Sequence, residues 1–215
     1  VAAYIKETGD KDILREYVPY LKDQWINGWD TDPSVRGSTT DGEGTLLEHP
    51  GTTPLIGACT VPIGSVAYGS FGTSTTTSAT VEFTASIYVP YTFVATGITS
   101  LHGSAVDGTT KNVLILKDTA GVPLANTATA GVVAATNDVF QAIPFTATRI
   151  VVGPALYGIG LQADAADVNG IRTVAASTFN NLVASGPTSV FGTIATLAFP
   201  TTFTADVGPI ACIYK

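Results

Sequence analysis

Residues 80–89 read TVEFTASIYV, the clearest strand signal in the chain. Apolar and polar side chains alternate along it, so that every second residue from Val81 to Val89 lies on one face. A period of two residues is that of a β-strand with one buried face, whereas a helix repeats its apolar positions every three or four residues. The stretch therefore predicts a strand with one face in a hydrophobic core.

Short strand-like segments continue on the C-terminal side of this stretch at intervals of about ten residues. Turn residues separate them, as at residues 118–121, which follow a continuously apolar run. The predicted strands are 80–89, 92–101, 113–116, 139–143, 147–152, 156–163, 173–176, 189–198 and 210–214. Many short strands joined by Gly- and Pro-containing turns predict a mainly β fold, a β-sandwich of the jelly-roll type.

The composition changes on the N-terminal side of residue 51. Residues 1–50 carry 15 of the 27 charged residues, and residues 51–215 carry the other 12. The periodicity of residues 1–24 predicts two short helices, whereas no sustained period follows until the strands begin. We therefore expect a charged, partly helical, extended arm over residues 1–63 and a β-sandwich domain over residues 64–215.

The composition also excludes several classes of protein. Only 13% of the residues are charged and the mean hydropathy is +0.32, the reverse of a disordered sequence. A formal net charge of −7 argues against a nucleic-acid partner, because phosphate groups are bound by clustered Lys and Arg. The long uncharged stretches are interrupted by Gly, Pro and Thr, so we expect no membrane helix and no membrane partner.

Catalytic and metal-binding motifs are not recognisable in the sequence. The chain has two histidines, His49 and His102, and neither has a further ligand at the spacing of a metal motif. A Ser–His–Asp triad would need one of these histidines, and no Gly-x-Ser-x-Gly motif occurs. We therefore predict no catalytic residue, no metal site, no cofactor and no enzymatic activity.

Paired carboxylates occur only in loop-like sequence, where solvated turn residues are the usual interpretation. The pairs are Asp30 with Asp32, Asp41 with Glu43, and Asp164 with Asp167. Asp164, Asp167 and Asn169 together offer oxygen ligands of the kind that Ca²⁺ accepts. The segment lacks the regular Asp/Asn alternation of a calcium loop, so the turn interpretation is preferred.

Two cysteines, Cys59 and Cys212, lie near the two ends of the β region. A disulfide between them and a pair of buried, reduced thiols are both compatible with the sequence. The second interpretation is the more common one for two cysteines in a β-rich domain.

Four aromatic residues of the β region are candidates for a binding surface: Tyr88, Tyr91, Phe93 and Tyr157. Because Tyr88 and Phe93 flank Pro90, this segment is predicted to form an exposed aromatic edge. Aromatic side chains beside polar hydrogen-bonding groups suit a carbohydrate platform. Packing in the core or in an interface is the alternative, and it is the more common role of such residues.

Three phrases of the β region carry a resemblance to a known class of proteins. They are IYVPYTFVATGI at residues 87–98, VLILKDTAG at 113–121 and PTTFTADVGP at 200–209. Together they resemble β-sandwich virion proteins of tailed bacteriophages, which decorate or cement capsids or form head fibres. The resemblance covers about residues 65–215 and includes no catalytic motif. It implies a structural role, commonly as a homotrimer seated on the capsid shell.

The N-terminal segment carries a different resemblance. The phrases YIKETGD at residues 4–10, ILRE at 13–16, VPYL at 18–21 and GTLLEH at 44–49 look like a helix pair from the (α/α)₆ barrels of glycoside phosphorylases. Such a barrel needs several hundred residues, and the acidic Asp motif of that family is not recognisable here. Phosphorylase activity is therefore not implied, and a captured fragment used as an anchoring arm is the interpretation that fits.

These observations lead to an expected function. We expect a capsid decoration or head-fibre protein on the exterior of a virion, with the major capsid protein and further copies of the same chain as its partners. A charge-poor surface suits this role, because charged residues are depleted in the cores of interfaces. The alternative is a carbohydrate- or receptor-binding module of a phage tail or fibre, with a host-surface glycan as the partner.

Overall fold

The alternating stretch that begins at Thr80 forms a strand over Phe83–Val89 in a computed structural model of the chain. The structure describes residues 56–61, 71–134, 136–165, 170–175 and 182–215, all within the unit Ile56–Lys215. The predicted arm and its two helices therefore lie outside the described residues, apart from residues 56–61. No helix occurs in the part of the chain that the structure describes.

The described residues form the following strands, in chain order. They are β1 (Ile56–Cys59), β2 (Thr73–Thr76), β3 (Phe83–Val89), β4 (Phe93–Leu101), β5 (Lys111–Lys117), β6 (Pro123–Asn126), β7 (Val132–Val133), β8 (Phe140–Val151), β9 (Ala155–Ala163), β10 (Gly170–Thr173), β11 (Ala184–Ser185) and β12 (Ala211–Tyr214). A four-stranded sheet has the order β1-β12-β4-β8, and a six-stranded sheet has the order β11-β3-β9-β5-β6 with β7 beside β5. The pair β10-β2 is a third, small sheet, and all pairings between strands are antiparallel. The prediction of a mainly β fold is confirmed.

Eight of the strands pair in a nested order. β5 pairs with β6, β4 with β8, β3 with β9, and β1 with β12. The first and third of these pairs lie in the six-stranded sheet, and the second and fourth lie in the four-stranded sheet. The chain therefore crosses from one sheet to the other at the ends of the strands, for example between β3 and β4.

One apolar cluster unites the two large sheets. It contains Ile98, Ile143 and Ile213 of the four-stranded sheet, all nearly inaccessible to solvent. The six-stranded sheet contributes further members, among them Phe83, Ile87, Val89, Leu114, Leu116, Ile159 and Leu161. The alternate positions of the stretch 80–89 are thus in the core, as its period predicts. Burial of a large aliphatic side chain contributes roughly 1.5–3 kcal/mol, so this cluster is the main source of stability.

The predicted strands 139–143 and 147–152 are one continuous strand, β8. Its register against β4 shifts in the middle: Ala95 lies opposite Arg149, whereas Gly97 lies opposite Pro144. A bulge of this kind lets a strand continue through residues that do not alternate. The strand prediction was interrupted here because Pro144 and Phe145 break the period.

The predicted strand 189–198 is wrong. Residues 186–199, which we call the covering segment, are irregular and lie on the outer face of the six-stranded sheet. The Gly192 amide donates a hydrogen bond to Gln162 Oε1 at 3.1 Å, and the Leu197 amide donates one to the Gly121 carbonyl at 3.3 Å. Thr188 forms a single antiparallel bridge with Val81. The bonds further along the segment go to a side chain and a turn, so no ladder forms there, although the residue types favour a strand.

The four-stranded sheet begins earlier than the predicted domain boundary at residue 64. β1 lies at Ile56–Cys59 and pairs with β12. A side chain at Gly57 would overlap the ring of Phe93, so glycine lets this strand lie close to the core. The sequence placed these residues in the arm because a four-residue strand containing glycine has no visible period.

Candidate functional site: an apolar corner

Two crossings between the sheets meet at one end of the strands. Residues 90–92 join β3 to β4, and residues 152–154 join β8 to β9. The Gly153 amide donates to Thr92 Oγ1 at 3.2 Å, and this hydroxyl donates to the Gly153 carbonyl at 3.3 Å. A Cβ atom at Gly153 would lie 2.5 Å from the Tyr91 nitrogen. Glycine is thus required for the close approach that fixes the two crossings together.

The hydroxyl group of Tyr157 bonds to the second crossing. Its hydroxyl accepts a hydrogen bond from the Val152 amide at 2.9 Å and donates one to the Val152 carbonyl at 3.0 Å. The ring packs against the core cluster between the sheets. A partly buried ring with a bonded hydroxyl is an anchor, so Tyr157 stiffens the crossing.

Exposed apolar side chains surround these crossings. Tyr88 lies opposite Leu156 in the six-stranded sheet, and Val94 lies opposite Ile150 in the four-stranded sheet. Their exposed fractions reach 57% for Tyr88 and 62% for Ile150. We call the exposed set the apolar corner; it comprises Tyr88, Tyr91, Val94, Ile150, Val152 and Leu156. It extends around the crossings from one sheet to the other.

The apolar corner is nearly free of charge. Residues 83–101 and 140–163, which form its four strands and two crossings, contain one charged residue, Arg149. The Nζ atom of Lys215 lies 5.3 Å from the centroid of the Tyr91 ring, a cation–π distance. The two segments contain no carboxylate, so the charges beside the surface are basic.

The four aromatic candidates have different environments in the structure. Tyr88 and Tyr91 are exposed and belong to the apolar corner. Phe93 is only 7% exposed, packs in the core and has its ring centroid 5.6 Å from that of Tyr91. The expected aromatic edge thus does not include Phe93, because the first residue of β4 turns inward directly after the crossing.

The aliphatic members of the apolar corner were missed in the sequence. Val94, Ile150, Val152 and Leu156 are not aromatic, and the search was for aromatic platforms. A signal was available, because the run 150–152 is apolar without alternation. In a strand with one buried face such a run must expose an apolar side chain.

The other sequence candidates have structural roles where the structure describes them. His102 is buried, its Nδ1 lies 3.0 Å from the Thr136 carbonyl, and burial lowers its pKa. Asp164 Oδ1 accepts a hydrogen bond from the Lys111 amide at 2.8 Å. Outside the described residues lie His49, Asp30, Asp32, Asp41, Glu43, Asp167 and Asn169.

Within the described ranges, no group of three or more His, Cys, Asp or Glu side chains is placed to hold a metal ion. The same residues contain no helix that is long and apolar enough to cross a membrane. Cys59 and Cys212 face each other across the β1–β12 pair as free thiols. Burial, followed by the neighbouring Cys59, raises the pKa of the Cys212 thiol well above its ordinary value.

Comparison with known proteins adds no relative: no family model matches the chain, and no curated protein or solved structure matches it. The resemblances to phage virion proteins and to glycoside phosphorylases stay predictions from the sequence. We therefore infer the function of the chain from the surfaces of the described domain.

Proposed function

We propose that this chain is a non-enzymatic virion structural protein, a capsid decoration, cement or head-fibre protein of a tailed bacteriophage. It binds the exterior of the capsid and stabilises or extends the shell by homo-oligomeric assembly. The apolar corner is the observation that carries the proposal. Monomeric proteins rarely expose many large apolar side chains close together with so few charges, and such surfaces mark protein interfaces.

The strand pairing supports a jelly-roll β-sandwich as the fold of this protein. The nested pairs β1–β12, β3–β9, β4–β8 and β5–β6, split between two facing sheets, have the connectivity of an eight-stranded jelly roll. Viral capsid domains and lectins both use this fold, so it is compatible with the proposal and with its alternative. The residues before β1, 1–55, are then the partly helical arm that lies on the capsid floor.

The apolar corner has the properties of an interface between copies. Tyr91 and Val152 lie in two crossings that hydrogen bonds hold together, and the other members lie at the adjoining strand ends, so little order must be gained on binding. Full burial of an exposed Leu or Ile side chain contributes roughly 1.5–3 kcal/mol. We therefore assign the apolar corner to the contact around the threefold axis of a homotrimer.

The covering segment is a second surface with the same character. Residues 186–199 contain no charged residue, and Val190 is 68% exposed. A decoration protein must contact both its own copies and the major capsid protein. The covering segment and the arm are the parts that we assign to the capsid contact.

The oligomeric state tests the proposal most directly. We expect a mass in solution that is a multiple of 22.1 kDa, three chains being the multiple proposed. Ile150→Lys combined with Leu156→Lys should give monomers, because six lysines cannot be buried together at a threefold contact. The control is Thr109→Lys, which changes an exposed residue in the loop before β5, at the end of the sheet away from the crossings. This variant should leave the trimer intact. A wild-type chain that is monomeric at all concentrations contradicts the proposal.

Binding to the shell is tested by co-sedimentation with capsids of the virus that encodes the chain. Deletion of residues 1–50 removes most of the arm and stops before β1, which the sheet needs. The truncated chain should trimerise but bind capsids more weakly. Unchanged binding would contradict the role of the arm.

Exposed Tyr88 and Tyr91 support one alternative, a carbohydrate- or receptor-binding module of a tail or fibre. A glycan array distinguishes the two functions. Glycan binding that is lost in Tyr88→Ala or Tyr91→Ala, and kept in the anchor variant Tyr157→Phe, would favour the receptor module. The structural proposal expects no glycan signal for any of these proteins.

A further inference from the structure

Cys59 and Cys212 lie directly opposite each other in the four-stranded sheet, one in β1 and the other in β12. The Thr60 amide donates a hydrogen bond to the Ala211 carbonyl at 2.9 Å, and these are the residues that follow Cys59 and precede Cys212. A bond in this position makes the two cysteines a non-hydrogen-bonded pair of the antiparallel ladder. In such a pair the side chains lie closer together than in a hydrogen-bonded pair.

This register has the dimensions that a disulfide needs. The Cα atoms of a non-hydrogen-bonded pair are about 4.5 Å apart, and disulfide-linked residues have Cα separations of about 4.4–6.8 Å. Burial, followed by a side-chain hydrogen bond with Cys59, raises the pKa of the Cys212 thiol, so the two thiols are in contact. The two cysteines can therefore be joined while β1 and β12 keep their pairing.

Both cysteines lie on the outer face of the four-stranded sheet. The adjacent pair of the ladder, Ala58 and Ile213, belongs to the core cluster. Because successive side chains of a strand point to opposite faces, Cys59 and Cys212 point away from this cluster. Cys59 is partly exposed, whereas Cys212 is fully buried. A reagent in solution therefore reaches Cys59 first.

From this arrangement we propose that Cys59 and Cys212 are a modification site, which oxidation converts into a disulfide between β1 and β12. In the structure both thiols are free, so the chain is in its reduced form. The co-reactant is a small-molecule disulfide of the glutathione class, and the bond forms in oxidising surroundings. The inference does not rest on the proposed virion function, since the register and the exposure of the two thiols carry it.

The reaction balances as two successive thiol–disulfide exchanges. The Cys59 thiolate attacks one sulfur of the small disulfide, whose S–S bond breaks and releases one small thiolate. Cys212 then gives up its proton, and its Sγ atom attacks Cys59 Sγ in the mixed disulfide and displaces the second small thiolate. Two electrons pass from the protein thiols to the small disulfide, and the protons of both cysteines end on the two small thiols.

The order of the two steps follows from the environments of the thiols. The thiolate is the attacking form, and burial keeps Cys212 protonated. Cys59 is therefore the thiol that attacks the small disulfide, and Cys212 is the thiol that resolves the mixed disulfide. This second attack is intramolecular, so the proximity of the two sulfur atoms offsets the small fraction of thiolate.

The bond would fasten one edge of the sheet. β1 is four residues long and lies at the edge of the four-stranded sheet, beside β12. A link from Cys59 to Cys212 closes a loop of about 150 residues, and a long loop restricts the unfolded chain more than a short one does. Because β1 directly follows residues 1–55, the bond would also attach this segment covalently to the C-terminal strand.

Oxidation of the folded, fully reduced 215-residue chain with glutathione disulfide tests the proposal. After an acid quench, the chain is unfolded and alkylated with iodoacetamide, and its mass is measured. We expect no alkyl group, no bound glutathione and a mass about 2 Da below that of the reduced chain. Two alkylated thiols, a lasting glutathione adduct on Cys59 or a dimer linked through Cys59 would each overturn the proposal.

Tryptic digestion without reduction locates the bond. The chain has two cysteines, and they fall in the peptides 37–111 and 173–215. These peptides should appear as one linked species from monomeric chains and separate after reduction. Their separate recovery without reduction overturns the proposal.

Two variants test the roles of the two thiols. In Cys212→Ala, glutathione should stay on Cys59, because the resolving thiol is absent. In Cys59→Ala, Cys212 should stay unmodified while the chain is folded, because it is buried. Equal rates of glutathione addition to the two variants would overturn the order of attack.

The thermal midpoint shows whether the bond fits the folded sheet. The oxidised wild-type chain should unfold at a temperature roughly 5–15 °C above that of the reduced chain, and dithiothreitol should reverse the rise. Cys59→Ala, treated in the same way, is the matched control and should keep its midpoint. An oxidised wild-type chain with an unchanged or lower midpoint overturns the proposal, because the bond would then distort the pairing of β1 with β12.

Discussion

Single charged residues matter most where the chain has few of them. Glu82 interrupts the apolar approach to β3, and Lys117 ends the apolar run of β5, and both side chains are buried. A buried charge needs a partner, because its transfer out of water costs several kcal/mol. Lys117 and Glu82 contact each other. They are two of only twelve charged residues in the range 51–215.

Removal of one partner should therefore be more damaging than removal of both. Lys117→Met leaves the Glu82 carboxylate buried without a cation, and we expect the free energy of unfolding to fall by about 3–5 kcal/mol. The double variant Lys117→Met with Glu82→Leu should recover part of that loss. Urea denaturation gives the free energy of unfolding of the wild-type chain, the single variant and the double variant. A double variant that is less stable than Lys117→Met would contradict the role of the pair.

Asp107 makes the loop before β5 sensitive to acid. The hydroxyl of Thr110 donates to Oδ2 at 2.6 Å, and the amides of Thr109 and Thr110 donate to Oδ1 at 2.8 Å. These bonds lower the pKa of Asp107 well below its ordinary value. The unfolded chain therefore takes up this proton first, so the stabilisation is present above about pH 4 and is lost as the pH falls below it.

Replacement of Asp107 by Asn should remove this pH dependence. Between pH 5 and pH 2 the thermal midpoint of the wild-type chain should fall further than that of Asp107→Asn. The difference between the two proteins should be largest near neutral pH. Parallel curves over the whole range would show that Asp107 does not contribute.

The two cysteines should react at different rates. Cys212 is buried and its raised pKa keeps it protonated, whereas Cys59 is partly exposed. The thiolate is the reactive form, so iodoacetamide at pH 8 should label Cys59 and leave Cys212 until the chain unfolds. Mass spectrometry after timed quenching gives both rates. Equal labelling in the folded state would contradict the packing of β12.

At the scale of an element, the glycines inside strands differ in how closely neighbouring atoms approach them. A Cβ atom at Gly97 of β4 would overlap the Tyr214 hydroxyl and lie 2.5 Å from the Ile143 carbonyl, which belong to the two neighbouring strands. At Gly158 of β9 the nearest atoms are 3.3 and 3.5 Å away, close to ordinary contact. The two glycines therefore differ in what a methyl group would displace.

We expect Gly97→Ala to lower the free energy of unfolding by about 1–3 kcal/mol, because the methyl group separates three strands. Gly158→Ala should change it by about 0.5 kcal/mol or less, since the Phe199 ring edge can shift. Denaturant unfolding under the same conditions compares the two variants. An equal effect would mean that the four-stranded sheet is looser at Gly97 than the structure shows.

The alternating strand 80–89 and the continuously apolar strand 113–116 were predictable, and strands with neither pattern were missed. The stretch 80–89 has a clear apolar period and the apolar residues of β3 are in the core, although Thr84 and Ser86 on its other face are buried as well. β2 consists of threonine and serine, and β1 contains glycine, so neither has an apolar period. The covering segment shows the opposite failure: its residues favour a strand, but only Thr188 forms a bridge, to Val81, and the residues beyond it lie over the face of the six-stranded sheet.

The apolar corner was predictable only in part, because a local sequence pattern marks only some of its members. Tyr88 and Tyr91 were visible as aromatic residues beside a proline, whereas the aliphatic half of the apolar corner depends on which strands are neighbours. Lys117 contacts Glu82, and Gln162 donates a hydrogen bond to Glu82, but the three residues are far apart in sequence, so no local pattern marks these contacts. Charge content, in contrast, was informative, because the charge-poor segments are those that form the apolar corner.

At the scale of the whole molecule, the position of β12 has a consequence for the timing of folding. β12 lies between β1 and β4 in the sheet. Its Cys212 lies opposite Cys59 of β1, which is about 150 residues earlier in the chain. During synthesis the middle of the four-stranded sheet is therefore made after every other described strand. Until residues 211–214 leave the ribosome, β1 has no neighbour in the sheet and the core is open on that side. A nascent chain that stops short of this strand cannot close its sheet, so only chains read through residue 214 become competent to assemble.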